Sequence, residues 1–162
     1  MTIRQAQPQD AAAVAEIWND VIRSSAATFT NLEKTEDGLI ADFAAKEADG
    51  KTFLMAELDG EVVGFATYFQ FRGGPGYRHT MEHTVILSPR AWGRGIGRRL
   101  MTAIEDHARA GGAHSLFGGV SAENADGIAF HTAIGFKEIA RLPEVGRKFD
   151  RWMDLVLMQK IL

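Results

Sequence analysis

Glycines at alternate positions, Gly93, Gly95 and Gly97, separate a run of strand formers, Val85-Ile86-Leu87, from a stretch of helical spacing, and Arg94, Arg98 and Arg99 stand among them. A strand entering a glycine-rich turn that opens directly into a helix is a cradle for a pyrophosphate. The first N–H groups of a helix have no partner inside it, and the macrodipole adds partial positive charge at that end. Glycines remove the Cβ atoms that would hold an anion away, and the arginines add charge at the rim. The chain as a whole has a formal net charge of -3, so the basicity is local and points to a small anionic ligand. A tight turn with helix-packing glycines accounts for the same spacing without a ligand. Two better-known phosphate motifs do not fit: Gly97 is followed by Arg98 and Arg99 where a P-loop needs Lys and then Ser or Thr. The next strand, His114 to Val120, lacks the acidic residue of a dinucleotide fold.

Other chemistries can be weighed on residue type. The chain has no cysteine, which excludes disulfides, thiolate metal sites and a cysteine acyl-enzyme. It has no Gly-x-Ser-x-Gly elbow, so acyl chemistry is expected to be direct. His79-Thr80-Met81-Glu82-His83 matches the His-x-x-Glu-His order of inverted zinc peptidases, a motif that needs a helix. Here glycines and a proline lie just before it and Thr84-Val85-Ile86-Leu87 just after it. A strand is expected instead, with Glu82 on the face opposite both histidines, and no metal site is expected.

The elements that must position these residues follow from hydrophobic period and turn signals. Thr2 to Ala6 reads as a strand, and Pro8 stands near the start of a helix carrying Val14, Ile17, Trp18, Val21 and Ile22. Leu39, Ile40 and Phe43 mark a second helix ending near Asp49-Gly50. Thr52 to Leu58 and Glu61 to Phe71 are strands joined by the hairpin dipeptide Asp59-Gly60. Tyr77 to Leu87 is expected to be the next strand. A helix follows from about Gly95, with Ile96, Leu100, Ile104 and Ala108 along one side, and Gly111-Gly112 stops it. His114 to Ser121 is a strand, Asn124 to Ile134 a short helix, and Phe136 to Leu142 and Trp152 to Leu162 the last strands. The order β-α-α-β-β-β-α-β-α-β-β gives an α/β fold with a mixed sheet and helices on both faces.

At 162 residues, 46% hydrophobic and 24% charged, residues 1–162 are expected to form a single domain with a real core. No apolar run approaches the roughly 18 to 20 residues needed to span a bilayer, and no signal-peptide core follows Met1, so a cytoplasmic location is expected. The acidic balance argues against nucleic acid as a partner.

Trp92-Gly93-Arg94-Gly95-Ile96-Gly97 resembles the acetyl-CoA motif Gln/Arg-x-x-Gly-x-Gly/Ala of the GCN5-related N-acetyltransferase (GNAT) superfamily, with Trp92 in place of the usual first residue. The run Ser121 to Phe136, with Asn124 and a closing Gly135-Phe136, is similar to the fourth-helix segment of that family. Asn19 to Ile22 with Ser25 to Phe29, Tyr77 to Val85 and Pro143 to Leu155 resemble the branch that acetylates phosphinothricin and methionine sulfoximine or sulfone. The resemblance implies a mostly antiparallel GNAT sheet, acetyl-CoA as co-substrate, a small amino acid acetylated on its α-amino group, and a homodimer. An α-ammonium must lose a proton before it can attack a thioester. Glu82 falls where the family's catalytic glutamate stands. Main-chain groups of Val85, Ile86 and Leu87, freed by a splay of strands, would hold the acyl group, with N–H donors around Ile86 and Leu87 for its oxyanion. Arg94, Gly95, Ile96, Gly97, Arg98 and Arg99 would hold the pyrophosphate.

His131 replaces the tyrosine that many members use to protonate the departing thiolate; a helix histidine is equally often packed or solvated. Asn124 is a partner for the pantetheine arm or simply a helix cap. Arg72 and Arg78 are candidates for the substrate carboxylate, Phe29 for the side-chain pocket, and Lys148 for a contact near the neighbouring subunit's site. Each of these has a plain alternative in packing or solvated charge. Two alternatives stay open for the whole: a non-catalytic acyl-CoA-binding or sensing module, and a GNAT enzyme acting on an antibiotic, a polyamine or a protein N-terminus.

Overall fold

The computed structural model describes residues 1–162. In chain order the elements are β1 (Thr2–Gln5), α1 (Ala11–Ser24), α2 (Glu36–Ala48), β2 (Phe53–Leu58), β3 (Glu61–Gln70), β4 (Thr80–Leu87), α3 (Ile96–Ala110), β5 (Ser115–Ser121), α4 (Ala125–Ala133), β6 (Lys137–Lys148) and β7 (Arg151–Ile161). Local chemistry sets their ends. The Thr35 side chain caps α2 by accepting from Gly38 N at 3.1 Å, and Asn124 caps α4 by accepting from Gly127 N at 2.9 Å. The chain leaves α3 through Gly112 at φ +86, with Ala113 N bonded to Ala108 O and Gly112 N to Arg109 O. That is the Schellman pattern glycine permits. Asp59 and Gly60, both at positive φ, turn β2 into β3.

One seven-stranded sheet runs in the order β1-β2-β3-β4-β5-β7-β6, antiparallel throughout except where β4 meets β5. Strand alternation divides its side chains between two cores. Phe53, Met55, Phe65 and Ile86 pack with Val14, Leu39 and Phe43 of α1 and α2 on one face. Ala56, Ala66, Leu116, Val156 and Met158 pack with Ile96, Leu100, Met101 and Ile104 of α3 on the other. Each fully buried aliphatic chain of this size contributes roughly 1.5 to 3 kcal/mol. The parallel ladder is short. Thr80, Met81 and Glu82 pair with Ser115, Leu116 and Phe117, and there it stops. Beyond that point β4 stays bonded to β3 as far as Leu87, while β5 stays bonded to β7 as far as Ser121. The sheet therefore opens in its middle.

The expected element order and the mixed sheet with helices on both faces are found. Two boundaries differ. Tyr77 belongs to a 3-10 turn over Pro75–Tyr77, so β4 begins only at Thr80, after His79 O has accepted from His114 N and Ser115 N. β6 does not stop at Leu142 but runs on to Lys148. An irregularity between Leu142 and Gly146 absorbs the break, with Glu144 at φ +52 and its N–H donated to Asp154 Oδ1 at 3.0 Å. Phe149 and Asp150, at φ +52 and +58, then form a two-residue turn into β7.

Candidate active site in the opened sheet

Hydrogen-bond phase decides which main-chain groups face the opening. Ser88 N donates to Val63 O at 2.9 Å and Phe71 N to Thr80 O at 3.0 Å, so the even-numbered residues of β4 bond to β3. Val85 and Leu87 consequently turn their N–H and C=O groups into the opening, and Ile86 does not. On the facing strand, Leu162 N bonds to His114 O and Ala122 N to Asp154 O. By the same alternation, the main chain of Gly119 and Ser121 looks across the gap. Free N–H groups were expected around Ile86 and Leu87; the phase keeps Leu87, supplies Val85, and assigns Ile86 to the α1/α2 core, where it is 8% exposed.

A cavity of about 240 Å³ occupies the opening and passes from one face of the sheet to the other. On the α1/α2 side it is lined by Val21, Phe29, Ile86, Leu155 and Glu82. Glu82 is half-buried, and its Oε1 lies 3.1 Å from where a Cβ on Gly119 would stand. Its carboxylate makes no ion pair or side-chain hydrogen bond, and burial alone pushes its pKa above the ordinary 4.5. A desolvated carboxyl with no competing cation is suited to take a proton from an amine.

On the α4 side the cavity meets a pair of imidazoles. His83 Nε2 and His131 Nε2 are 2.9 Å apart, and His131 Nδ1 is 2.7 Å from Gly127 O. A carbonyl only accepts, so His131 carries its proton on Nδ1 and receives one from His83 at Nε2. His83 Nδ1 is then left without an ordinary hydrogen-bond partner. Phe136 stands 5.3 Å from each ring, and Phe130 lies edge-on to His131. Burial lowers both pKa values: His83 falls to about 3, with His131 adding to the effect and the Phe117 main chain opposing it, and His131 also lies below 6.5. His83 could be found in sequence only as the residue alternating with Glu82, since its partner is 48 residues away. Gly118 completes the pair, because a Cβ there would stand 2.9 Å from His83 Cε1 and 3.1 Å from His131 Nε2.

Gly93 and Gly95 lead into α3 at φ +71 and +72, a left-handed backbone that glycine adopts without strain, with open space around both. Gly95 sits at the N-cap and no side chain caps the helix, so the N–H groups of Ile96 and its successors are free to meet an anion. Gly97 has a different task. It is buried, and a Cβ there would be 3.1 Å from Leu87 and 3.2 Å from Phe130. It lets α3 close on β4 and α4. Arg94, Arg98 and Arg99 are exposed around this turn, with Arg98 Nη2 reaching Ala133 O at 3.1 Å. Trp92 is 65% exposed. Asn124 lines the cavity; its Oδ1 is occupied by the helix cap and its amide N–H groups remain. A free helix start, an unstrained glycine turn and a basic rim fit a diphosphate. The open main chain of Val85 and Leu87 fits the amide arm and acyl end of acetyl-CoA.

The remaining candidates are divided. Phe29 lines the cavity, whereas Arg72 and Arg78 lie exposed on the loop before β4 and do not. Arg78 Nε instead meets His79 Nε2 at 2.8 Å. Lys148 is buried and is bound within its own chain, to Ser25 O at 2.7 Å and Thr28 O at 3.0 Å. His79 precedes β4 and Glu82 lies on it, so the helix required by a His-x-x-Glu-His zinc site is not formed.

Comparison with known proteins agrees with this geometry. Residues 16–136 match the acetyltransferase (GNAT) family. The chain is 38% identical over 159 residues to an L-methionine sulfoximine/L-methionine sulfone acetyltransferase of Salmonella typhimurium, covering 98% of this chain and 93% of that protein. It is 32% identical to a phosphinothricin N-acetyltransferase of Alcaligenes faecalis, covering 99% and 82%. The structure of yncA from Salmonella typhimurium, with its cofactor acetyl-CoA, superposes with a TM-score of 0.95 at 38% identity, covering 100% of this chain and 94% of that one. The opened sheet, the glycine turn at the start of α3 and these relationships lead to one conclusion: the chain belongs to the GNAT family of acetyltransferases.

Proposed function

We propose that the protein transfers the acetyl group of acetyl-CoA to the α-amino group of a small amino acid of the methionine sulfoximine, methionine sulfone or phosphinothricin kind. The observation that carries this reading is the opening between β4 and β5, which sets Glu82 on one face, the anion cradle of α3 on the other and free main chain in the gap between them. Acetyl-CoA supplies an activated acyl thioester. The amine enters from the α1/α2 face, where Glu82 removes its proton directly or through a water, and Phe29 and Val21 wall the side-chain pocket. Val85 and Leu87 N–H groups receive the charge that grows on the acyl oxygen. Arg94, Arg98, Arg99 and the N–H groups from Gly95 onward hold the pyrophosphate, and Asn124 the pantetheine arm. Arg72 and Arg78, on the loop entering β4 and in no ion pair, are the cations available to the substrate carboxylate.

His131 lines the opening as a neutral acceptor held by His83. To serve as acid toward the departing thiolate it would need a second proton, which burial disfavours. A homodimer is part of the same reading, since Val145, Phe149 and Trp152 are 52%, 50% and 57% exposed on the β6–β7 hairpin.

The test is thiol release from acetyl-CoA over a panel of these amino acids, polyamines and a basic peptide, with Glu82→Gln beside the native protein. Turnover on an amino acid should fall about 10² to 10⁴-fold in the variant, with acetyl-CoA affinity unchanged. The native rate should fall at acid pH through a pKa above 4.5. Equal turnover in the variant would remove Glu82 from its role. Tight acetyl-CoA binding without release on any amine would point to a sensing module.

A further inference from the structure

One wall of the amine pocket is a segment with little support of its own. α1 ends at Ser24, and Ala27, Thr28 and Phe29 line the cavity without belonging to a helix or a strand. Its local bonds are few and gather at Ser25: Ser25 N and Oγ both donate to Val21 O, and Ala27 N donates to Ser25 Oγ. Its anchors come from β6. The Lys148 ammonium donates to Ser25 O at 2.7 Å and to Thr28 O at 3.0 Å, across 123 and 120 residues of sequence. Two residues earlier and on the same face of the strand, Gly146 takes the ring of Phe29 so closely that a Cβ would stand 2.3 Å from Cδ2 and 2.5 Å from Cε2. Lys148 is 6% exposed and does not line the cavity.

We propose that Lys148 is a positioning residue for the amine substrate: by bridging two carbonyls of the 25–29 segment it holds Thr28 and Phe29 as the wall that receives the amino-acid side chain. This rests on the amino-acid acetyltransferase reading above. Lysine suits the task because a compact ammonium offers three donors from one point, and two carbonyls at the ends of a short turn can share it. An apolar residue of similar length would leave both carbonyls without a partner. The burial that lowers the Lys148 pKa is the cost of this arrangement. It is accepted at a site that touches no reacting atom.

The test compares Lys148→Met and Lys148→Arg with the native enzyme. In Lys148→Met the KM for the amino acid should rise about tenfold, as expected for losing two charge-assisted bonds. Acetyl-CoA affinity should stay unchanged, and Lys148→Arg should recover part of the loss. An unchanged amino-acid KM, or a parallel fall in acetyl-CoA affinity, would overturn the proposal. Should Lys148→Met fail to fold, Gly146→Ala serves in its place, since it displaces Phe29 and leaves the ammonium present; the same selective rise in KM is expected. Limited proteolysis separates this inference from the activity on which it rests. Cleavage within residues 25–29 should be faster in Lys148→Met than in the native protein whatever amine is acetylated, and equal rates would refute the anchoring role.

Discussion

At the scale of single residues, the buried imidazole pair makes stability depend on pH. His83 has a folded pKa of about 3 against an ordinary 6.5, so the unfolded chain takes up a proton that the folded chain refuses. The stability this preserves is complete above pH 6.5 and is lost as pH falls toward 3. At pH 5 the loss from His83 alone is about 2 kcal/mol. His83→Asn removes that titration and keeps a donor for His131. It should be less stable than the native protein at pH 7 by roughly 1 to 2 kcal/mol for the lost ring packing, with the gap closing by pH 5. Urea unfolding at the two pH values measures this, and a gap that stays constant would show that His83 is not held neutral. Glu82 works in the opposite sense. Its raised pKa means the folded carboxylate costs stability once pH exceeds 4.5.

At the scale of elements, β5 carries glycines where an ordinary strand would carry side chains, and each makes room for a functional group across the opening. Gly118 faces the imidazole pair and Gly119 the Glu82 carboxyl. Gly118→Ala puts a methyl 2.9 Å from His83 Cε1, against rings that Phe136 and Phe130 already hold. The rings have little space to yield, so we expect about 1 to 3 kcal/mol lower stability together with weaker acetyl-CoA binding. Thermal unfolding and calorimetric titration would register both, and native-like acetyl-CoA affinity would show that the pair does not border that ligand. The elements themselves were largely legible, because Ile96, Leu100, Ile104 and Ala108 repeat with helical period and Asp59-Gly60 announces a hairpin. The glycine turn into α3 was legible through its spacing, and the place of Glu82 on the strand before it through the family resemblance. The His83 partnership, the Lys148 anchors and the seat of Phe29 on Gly146 were not, since each joins residues far apart in the chain and leaves no periodic trace. The length of β6 was hidden for a related reason: Pro143 and Glu144 read as a strand end, and the bulge that carries the strand past them is stabilised by Asp154 on the neighbouring strand.

At the scale of the whole molecule, β6 is an edge strand of 12 residues whose hairpin leaves Val145, Phe149 and Trp152 in solvent. Large apolar side chains grouped in solvent on one hairpin are a surface suited to a partner. Light scattering on a sizing column should give twice 17.8 kDa, and Trp152→Glu should give the monomer mass with an unchanged circular dichroism spectrum. A native monomer at working concentration would set the dimer aside.

The parting of β4 from β5 also divides the chain itself. β1 to β4 with α1, α2 and α3 precede the exposed corner at Gly111-Gly112, and β5 to β7 with α4 follow it. The two contiguous halves are stitched by three bridging pairs, a shared core and a few side-chain bonds such as those of Lys148 to Ser25 O and Thr28 O. A ligand seated between Val85 and Leu87 on one bank and Ser121 and Asn124 on the other becomes a temporary seam between them. Its occupancy and the integrity of the sheet are then one linked equilibrium.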